Sequence, residues 1–239
     1  MKTSRWGMLA VITIAALAVQ AQAATVSYSQ VFSQQVPQPQ LDVGDLPLFD
    51  ATLGTLQSVE LSLDATASGG SITWDNESSI ITDINLGIGA EVAATTSIGS
   101  VFNVIVVPLQ SGTQDDVAAD VDGVFDPVPD FVGADSFTVS GGVGSDTDSQ
   151  STSDPIDLAA FTGTGNFDVF VESLLETLVG ASGGFGFTDT TPGQVDGTVT
   201  VTYTYDEPNN PVIPVPAALP VGLGLMGLII ARRGVKKIA

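Results

Sequence analysis

Short runs in which apolar and polar residues alternate fill the middle of this chain, and this period of two constrains its fold more than any other feature. The clearest run sets Val199, Val201, Tyr203 and Tyr205 against four intervening threonines. Successive side chains of a strand point to opposite faces, so such a run predicts a strand with one buried face. Similar runs lie at residues 58–64, 83–88, 136–140 and 166–171. Regularly spaced short strands predict an all-β fold, an antiparallel two-sheet sandwich of jelly-roll type.

Four segments depart from simple alternation. Val101 to Val107 is apolar on both faces except at Asn103, which predicts a central strand buried on both sides. Leu174 to Val179 places apolar residues at positions i, i+1, i+4 and i+5, which predicts one short helix. Residues 111–135 and 145–157 are rich in Asp, Ser, Thr, Pro and Gly, and this composition predicts solvated surface loops.

Basic side chains occur only near the two ends of the chain, whereas all 27 Asp and Glu residues lie between Asp42 and Glu207. The middle of the chain also lacks His and Cys. It therefore has no side-chain ion pair, no disulfide and no Arg or Lys to hold an anionic substrate. Nucleic-acid binding by phosphate neutralisation is excluded for the same reason. About 190 residues are enough for one sizeable core, so one domain is expected.

Residues 1–23 have the layout of a secretory signal peptide. Lys2 and Arg5 precede an apolar stretch from Met8 to Val19. Ala21 and Ala23 flank Gln22 in a small-x-small site, so we expect cleavage after Ala23 and a sandwich domain over residues 24–206. The alternative is a retained N-terminal membrane helix, which the short apolar stretch and the polar residues after it disfavour.

The other end carries a second export feature. A Pro-rich linker at 207–216 leads into the uncharged segment 217–231, which is followed by a basic tail at 232–239. As a helix the segment spans about 22 Å, and the linker residues before it and snorkelling arginines extend it toward the roughly 30 Å of a bilayer core. The positive-inside rule puts the tail in the cytoplasm and the body outside. A buried core helix is the alternative, but a basic cluster beside it would be hard to bury. The cluster comprises Arg232, Arg233, Lys236 and Lys237.

The C-terminal segments resemble a known class of sorting signal. Ile213, Pro214, Val215, Pro216 and Ala217 resemble the Val-Pro-Leu-Pro-Ala box of VPLPA-CTERM signals, a variant of the PEP-CTERM class, with Ile for Val and Val for Leu. The box, the short helix and the basic cluster follow in the order typical of that class. The resemblance implies processing near the box by an exosortase in a bacterium that makes extracellular polysaccharide.

The body resembles the choice-of-anchor E domain in three segments taken in order, namely residues 49–59, 158–165 and 199–205. The first reads FDATLGTLQSV, the second LAAFTGTG and the third VTVTYTY. The resemblance covers about Thr25 to Asp206 and implies a β-rich exported domain. The family has no established biochemical function, so it transfers no site residue to this chain.

An acidic segment has the ligand spacing of a calcium-binding loop. Asp146, Asp148, Asp154 and Asp157 occupy the first, third, ninth and twelfth positions of that pattern. Ser151 replaces the usual glycine, and Asp157 replaces the bidentate glutamate. The segment is interpreted either as a calcium site or as a plain solvated loop. Calcium would be the only cofactor of the protein. The same two interpretations apply to a second acidic cluster, which comprises Asp115, Asp116, Asp120 and Asp122.

Enzymatic chemistry is narrowly limited by this composition. Ser-His-Asp triads, Cys nucleophiles and Schiff bases need residues that the body lacks. Glycoside hydrolysis by a pair of carboxyl groups is the one common mechanism that this composition allows. Its candidate site is the segment from Trp74 to Glu77. The alternative for this segment is a tryptophan at a strand end beside a polar turn.

These observations predict an exported protein of the cell surface or extracellular matrix, with a membrane-anchored precursor and no catalytic residue. The expected role is structural, or weak binding of polysaccharide or cations. A carboxylate-pair glycoside hydrolase acting on matrix polysaccharide is the alternative. The expected partners are an exosortase-type enzyme, the membrane and extracellular polysaccharide, with no nucleic acid.

Overall fold

The computed structural model describes residues 23–98, 102–120 and 129–208. Ala21, the sorting box, the predicted transmembrane segment and the basic cluster lie outside the described residues, as does Asp122. No helix in the described ranges is long and apolar enough to cross a membrane.

Most of the described residues lie in strands, and one helix of six residues is present among them. The elements are β1 (Ala23–Gln35), β2 (Gln38–Pro47), β3 (Thr55–Ser68), β4 (Ser71–Asn76), β5 (Thr82–Thr96), β6 (Asn103–Val106), β7 (Leu109–Val117), β8 (Ser136–Ser140), β9 (Val143–Thr152), α1 (Pro155–Ala160), β10 (Asn166–Ala181), β11 (Gly186–Thr191) and β12 (Gln194–Asp206). The alternating runs all lie within these strands, so the prediction of an antiparallel all-β fold is confirmed.

Hydrogen bonding divides the strands into three sheets rather than the two that were predicted. Sheet I has the order β1-β12-β3-β9. Sheet II has the order β2-β10-β5-β6, with β7 also paired to β5. Sheet III has the order β11-β4-β8. All strand pairs in the three sheets are antiparallel.

Sheet III continues sheet I beyond a crease. Its order β11-β4-β8 repeats the order β12-β3-β9 of sheet I. Each strand of sheet III is consecutive in the chain with its counterpart in sheet I, and only two residues separate them: β11 from β12, β3 from β4, and β8 from β9. The breaks fall at residues 69–70, 141–142 and 192–193, and five of these six residues are glycines. The Gly141 N–H donates to the Gly70 carbonyl at 3.3 Å across the crease. Sheets I and III therefore form one bent layer over sheet II, which reconciles three hydrogen-bonded sheets with a sandwich.

The bent layer and sheet II enclose two hydrophobic cores. The larger core lies between sheets I and II and contains Val92 from β5 with Leu61, Val199 and Val201 from the facing layer. The smaller core lies under sheet III and packs Ile72 and Trp74 from β4 against the first half of β5, at Ile84, Leu86 and Ile88. Because β5 is 15 residues long and has buried side chains along most of its length, one strand contributes to both cores.

The predicted helix at Leu174 to Val179 is wrong. These residues belong to β10, where they pair with β5 in unbroken register from Leu174 opposite Glu91 to Val179 opposite Leu86. Leu174 and Val179 are 48% and 45% exposed, so their apolar spacing does not reflect a buried helical face. Pairing with the long strand β5 overrides a local pattern that is too short to decide between helix and strand.

The predicted acidic loops are loops only in part. Residues 111–117 lie in β7, whereas residues 118–120 and 129–135 lie outside strands and helices, as predicted. Residues 145–157 contain most of β9 and the start of α1. All of β9 except Gly144 and Thr152 is exposed, which explains its polar composition. Among the described strands β9 pairs only with β3, so it is an edge strand. Because it buries little surface, its composition resembles that of a loop.

The predicted central strand at Val101 to Val107 is also wrong in its position. The strand within this segment, β6, has four residues and lies at the edge of sheet II. Val104 and Val106 are buried, whereas Ile105 and Val107 are each 40% exposed. The continuous apolar run therefore covers one buried face and one half-covered face.

Candidate functional site

The four predicted calcium ligands do not converge on one position. Asp146 and Asp148 lie on the exposed strand β9, Asp154 caps the N-terminus of α1, and Asp157 lies in the first turn of that helix. The Asp154 carboxylate accepts a hydrogen bond from the Ile156 N–H at 2.8 Å. Within the described residues there is no group of three or more such side chains that could hold a metal ion. The calcium-loop spacing thus corresponds to a strand followed by a helix cap, not to a loop.

Asp146 instead covers an edge of the neighbouring sheet. Its carboxylate accepts a hydrogen bond from the Val107 N–H at 2.8 Å. Gln150, on the same strand, accepts from the Asn103 N–H at 3.1 Å and donates to the Asn103 carbonyl at 2.7 Å. Side chains of β9 therefore satisfy backbone groups at the outer edge of β6. This role needs the pairing of two distant edges and has no signal in the sequence.

The segment Trp74 to Glu77, proposed for glycoside hydrolysis, is buried. Trp74 is 2% exposed and packs in the smaller core, so it presents no face to a sugar. Asp75 and Glu77 are 4% and 8% exposed. A hydrolase of this type needs two carboxyl groups that reach the glycosidic bond from a cleft. The burial of this segment supports the alternative reading, a tryptophan near a strand end beside a polar turn.

Asn76 organises the polar turn that follows β4. Its amide nitrogen donates to the carbonyls of Ile80 at 2.9 Å and Ala118 at 2.7 Å. Its amide oxygen accepts from the Ser78 N–H at 3.1 Å and from the Ser78 hydroxyl at 2.6 Å. All four hydrogen-bonding positions of the amide are used, which fits a side chain that is 1% exposed. Asn76 is therefore a structural clamp.

Asp75 is the buried carboxyl group beside this clamp. Burial raises the pKa of Asp75, and the nearby charges of Asp135 and Asp130 raise it further. The Phe131 N–H donates to its carboxylate at 3.0 Å and opposes the rise. A raised pKa suits a proton donor, but a carboxyl group that is 4% exposed has no path to a polymeric substrate.

A second group of carboxylates lies on the outer side of sheet II. Asp168 in β10 is directly opposite Asp45 in β2, and Asp42 is near. The hydrogen bond between the carboxyl groups of Asp168 and Asp45 raises the pKa of Asp168, and repulsion from Asp45 and Asp42 adds to the rise. Sequence reasoning missed this pair because residues 123 positions apart meet only through the strand register.

The segments that carry the family resemblance meet at one end of the larger core. Phe49 lies against Tyr203 and Tyr205, with ring centroids 5.6 and 5.3 Å apart. Phe161 packs edge-to-face on Phe102 and Phe167 at 5.5 and 5.3 Å. The Phe49 N–H also donates to the Phe161 carbonyl at 2.9 Å.

Two further details show that these segments serve packing. The Tyr203 hydroxyl donates to the Pro47 carbonyl at 2.8 Å, and burial raises the pKa of Tyr203 far above its usual value. Gly54 has φ +150°, and a side chain there would collide with the Asp206 carbonyl. The aromatic motif residues are thus core positions, and Gly54 is a turn position.

A small polar cavity lies at the crease. It encloses about 10 Å³ between Val36, Gly69, Gln110 and Gly193, room for a single water molecule. The Gln110 amide nitrogen donates to the Gly69 carbonyl at 2.8 Å, while its buried oxygen has no partner among the described residues. The cavity is too small for a sugar or a nucleotide.

Comparisons with known proteins show no family. No family model matches the chain, and no curated protein matches it. Among solved structures, the chain is similar to the structure of the infectious bursal disease virus Gx strain. The identity is 11% and the TM-score 0.23, and the match covers 79% of this chain and 37% of that chain. It is also similar to the VP2 subviral particle of that virus, with 10% identity, TM-score 0.23, and coverage of 89% and 49%. The chain spans less than half the length of either viral chain.

Proposed function

We propose that this chain is an exported, non-enzymatic protein of the cell surface or extracellular matrix, delivered as a membrane-anchored precursor. The observation that carries the proposal is the distribution of charge. The six basic residues all lie at residues 2–5 and 232–237, beside the two apolar segments, while the body between them is purely acidic. Charge placed in this way orients two membrane signals and leaves the body without the usual catalytic side chains.

The proposal includes a jelly-roll architecture for the body and a C-terminal exosortase-type sorting signal. The strand order supports the jelly roll, because the long strands alternate between sheets I and II in two interleaved sets, β1-β12-β3-β9 and β2-β10-β5-β6. The order of box, apolar segment and basic cluster supports the sorting signal. The resemblance to choice-of-anchor E domains agrees with both.

The intact mass of the protein, purified from the envelope and the culture medium of its native host, tests this function. We expect a chain that starts at Ala24 and ends between Ile213 and Ala217, bare or with an added lipid or glycan. A mass that extends through Ala239 would instead indicate a permanent membrane anchor and would refute exosortase processing.

Weak cation binding belongs to the same proposal. An acidic body without basic residues attracts divalent cations, and calcium is the candidate because it prefers carboxylate oxygens. The melting temperature should rise more in calcium chloride than in sodium chloride at the same ionic strength. If the melting temperature depends on ionic strength in the same way for both salts, charge screening alone explains the effect and calcium binding is refuted.

A further inference from the structure

The outer edge of sheet I differs from the other sheet edges in carrying no protection against pairing. This edge is β1, a strand of 13 residues with the sequence AATVSYSQVFSQQ, which contains no charged residue, no proline and no glycine. β1 pairs with β12 in unbroken register over its whole length. Among the described residues no other strand pairs with β1, so its second edge presents backbone N–H and C=O groups.

The remaining edges have the features that natural proteins use to block strand addition. β9 bears Asp146 and Asp148, and side chains of β9 bond the backbone at the ends of the four-residue strand β6. β2 contains Pro39, Pro47 and register shifts against β10. β7 contains two adjacent aspartates, and β8 and β11 have only five and six residues.

The accessible part of β1 in the expected mature chain runs from Ala24 to Ser29, and no side chain in this stretch is buried. Gln30 is already in contact with β2, because its amide nitrogen donates to the Asp45 carbonyl at 2.8 Å. Farther along, the strand enters the core through Phe32 and Gln34, which are 7% and 6% exposed. Six residues of free edge are comparable to a complete strand of an ordinary sheet.

We propose that two copies of this chain associate through β1, in an antiparallel β1–β1 pair centred near Ser27 that extends sheet I across a two-fold axis. The charge distribution selects a second copy as the occupant. The body carries 27 acidic and no basic residues, so most face-to-face contacts between copies would oppose carboxylates. At β1 two copies meet without charged side chains, and a strand that pairs antiparallel with itself satisfies a two-fold interface.

The chain offers a matched pair of variants that test this interface. Ser27 and Thr202 share one hydrogen bond of 2.9 Å on the outer face of sheet I, one on the edge strand and one on the adjacent inner strand. Ser27→Glu and Thr202→Glu each break that bond and add one charge on the same rung. Only Ser27→Glu places two glutamates opposite each other across the two-fold axis.

The measurement is sedimentation equilibrium of the protein purified in the form that its native host produces, at about 0.15 M ionic strength, where the Debye length is about 8 Å. We expect a concentration-dependent dimer for the wild type. Ser27→Glu should raise the dimer Kd by about tenfold or more, because like charges meet at the centre of the pair. Thr202→Glu should leave the Kd within about twofold of the wild-type value.

Three results would overturn the proposal: a wild-type monomer at the highest soluble concentration, a dimer that Ser27→Glu leaves intact, or equal weakening by both variants. If Ser27→Glu fails to fold by circular dichroism, Ser27→Asp and Thr202→Asp form a second matched pair on the same rung, with a shorter charged side chain. Amide hydrogen exchange gives an independent readout. Protection of amides within residues 25–29 should increase with protein concentration, and unchanged exchange would contradict pairing at this edge.

Discussion

At the scale of single residues, the buried polar groups serve structure. Asn76, Asp75 and Glu77 lie beside the one tryptophan of the body, and from the sequence alone they look like part of a sugar-binding site. The structure buries all three, and Asn76 uses its whole amide to hold the turn after β4. A buried polar side chain with every hydrogen bond satisfied fixes one local conformation.

Asn76→Ala should destabilise the protein by about 2–4 kcal/mol, because the Ala118 carbonyl and the Ser78 N–H lose their partner and the Ile80 carbonyl keeps only longer bonds to hydroxyl groups. Urea unfolding measures the change. Asn166→Ala, at an exposed position at the start of β10, is the control and should change stability by less than about 0.5 kcal/mol. Equal effects at the two positions would contradict the clamp.

Asp168 makes stability depend on pH. Its pKa is raised above 3.8 in the folded protein, so the folded chain binds this proton more tightly than the unfolded chain. Its contribution to stability is complete below pH 3.8 and is lost as the pH rises through the raised pKa. Asp168→Asn should therefore reduce the fall in melting temperature between about pH 4 and pH 7.

The control for this experiment is Asp148→Asn, which removes one exposed carboxylate from β9. Asp148 has no part in the pair formed by Asp45 and Asp168, and its removal should shift the melting curve without the same change in slope. If both variants flatten the pH dependence equally, general repulsion and not the pair is responsible.

At the scale of elements, the crease between sheets I and III divides the sandwich into two cores. Strand pairs β3–β9 and β4–β8 keep the same neighbours on both sides of the crease, but the backbone bends at its glycines. At Gly193 a side chain would come within 2.3 Å of the Ser68 carbonyl. Close approach of two backbones is the reason for a glycine at this position.

Gly193→Ala should cost about 2–4 kcal/mol of stability, because the atom that the new methyl group meets is a backbone oxygen that cannot move aside. Gly69→Ala, on the facing strand of the crease, is the comparison. Gly69 has φ +68° with open space around it, so its replacement should cost only the left-handed strain of about 1–2 kcal/mol. Chemical denaturation of both variants checks the order, and a smaller loss at Gly193 would contradict the close approach.

At the scale of the whole molecule, repulsion between carboxylates opposes compaction. The body has 27 acidic residues and no basic residue to compensate them. The hydrophobic cores supply the opposing stabilisation, since the composition allows neither disulfides nor side-chain ion pairs in the body. Such a protein gains stability when its charge is screened.

The melting temperature should rise steadily with sodium chloride between about 0.01 and 1 M, as the Debye length falls from about 30 to 3 Å. Differential scanning calorimetry at neutral pH measures it, and uncharged sucrose at matched osmolality controls for solute exclusion. A melting temperature that does not depend on ionic strength would show that the carboxylates are too far apart to interact.

The sequence by itself determined the strands with one buried face, because a period of two in 199–205 or 58–64 already separates core from solvent. It also determined the charge of the body and the chemistry that this charge excludes. Where local composition was ambiguous, as in β9, β6 and the second half of β10, only tertiary pairing decided the structure. The carboxylate pair, the Asn76 clamp, the crease and the unprotected edge of β1 likewise depend on contacts between residues far apart in the chain. Such features arise from the register between distant strands, and no single segment encodes that register.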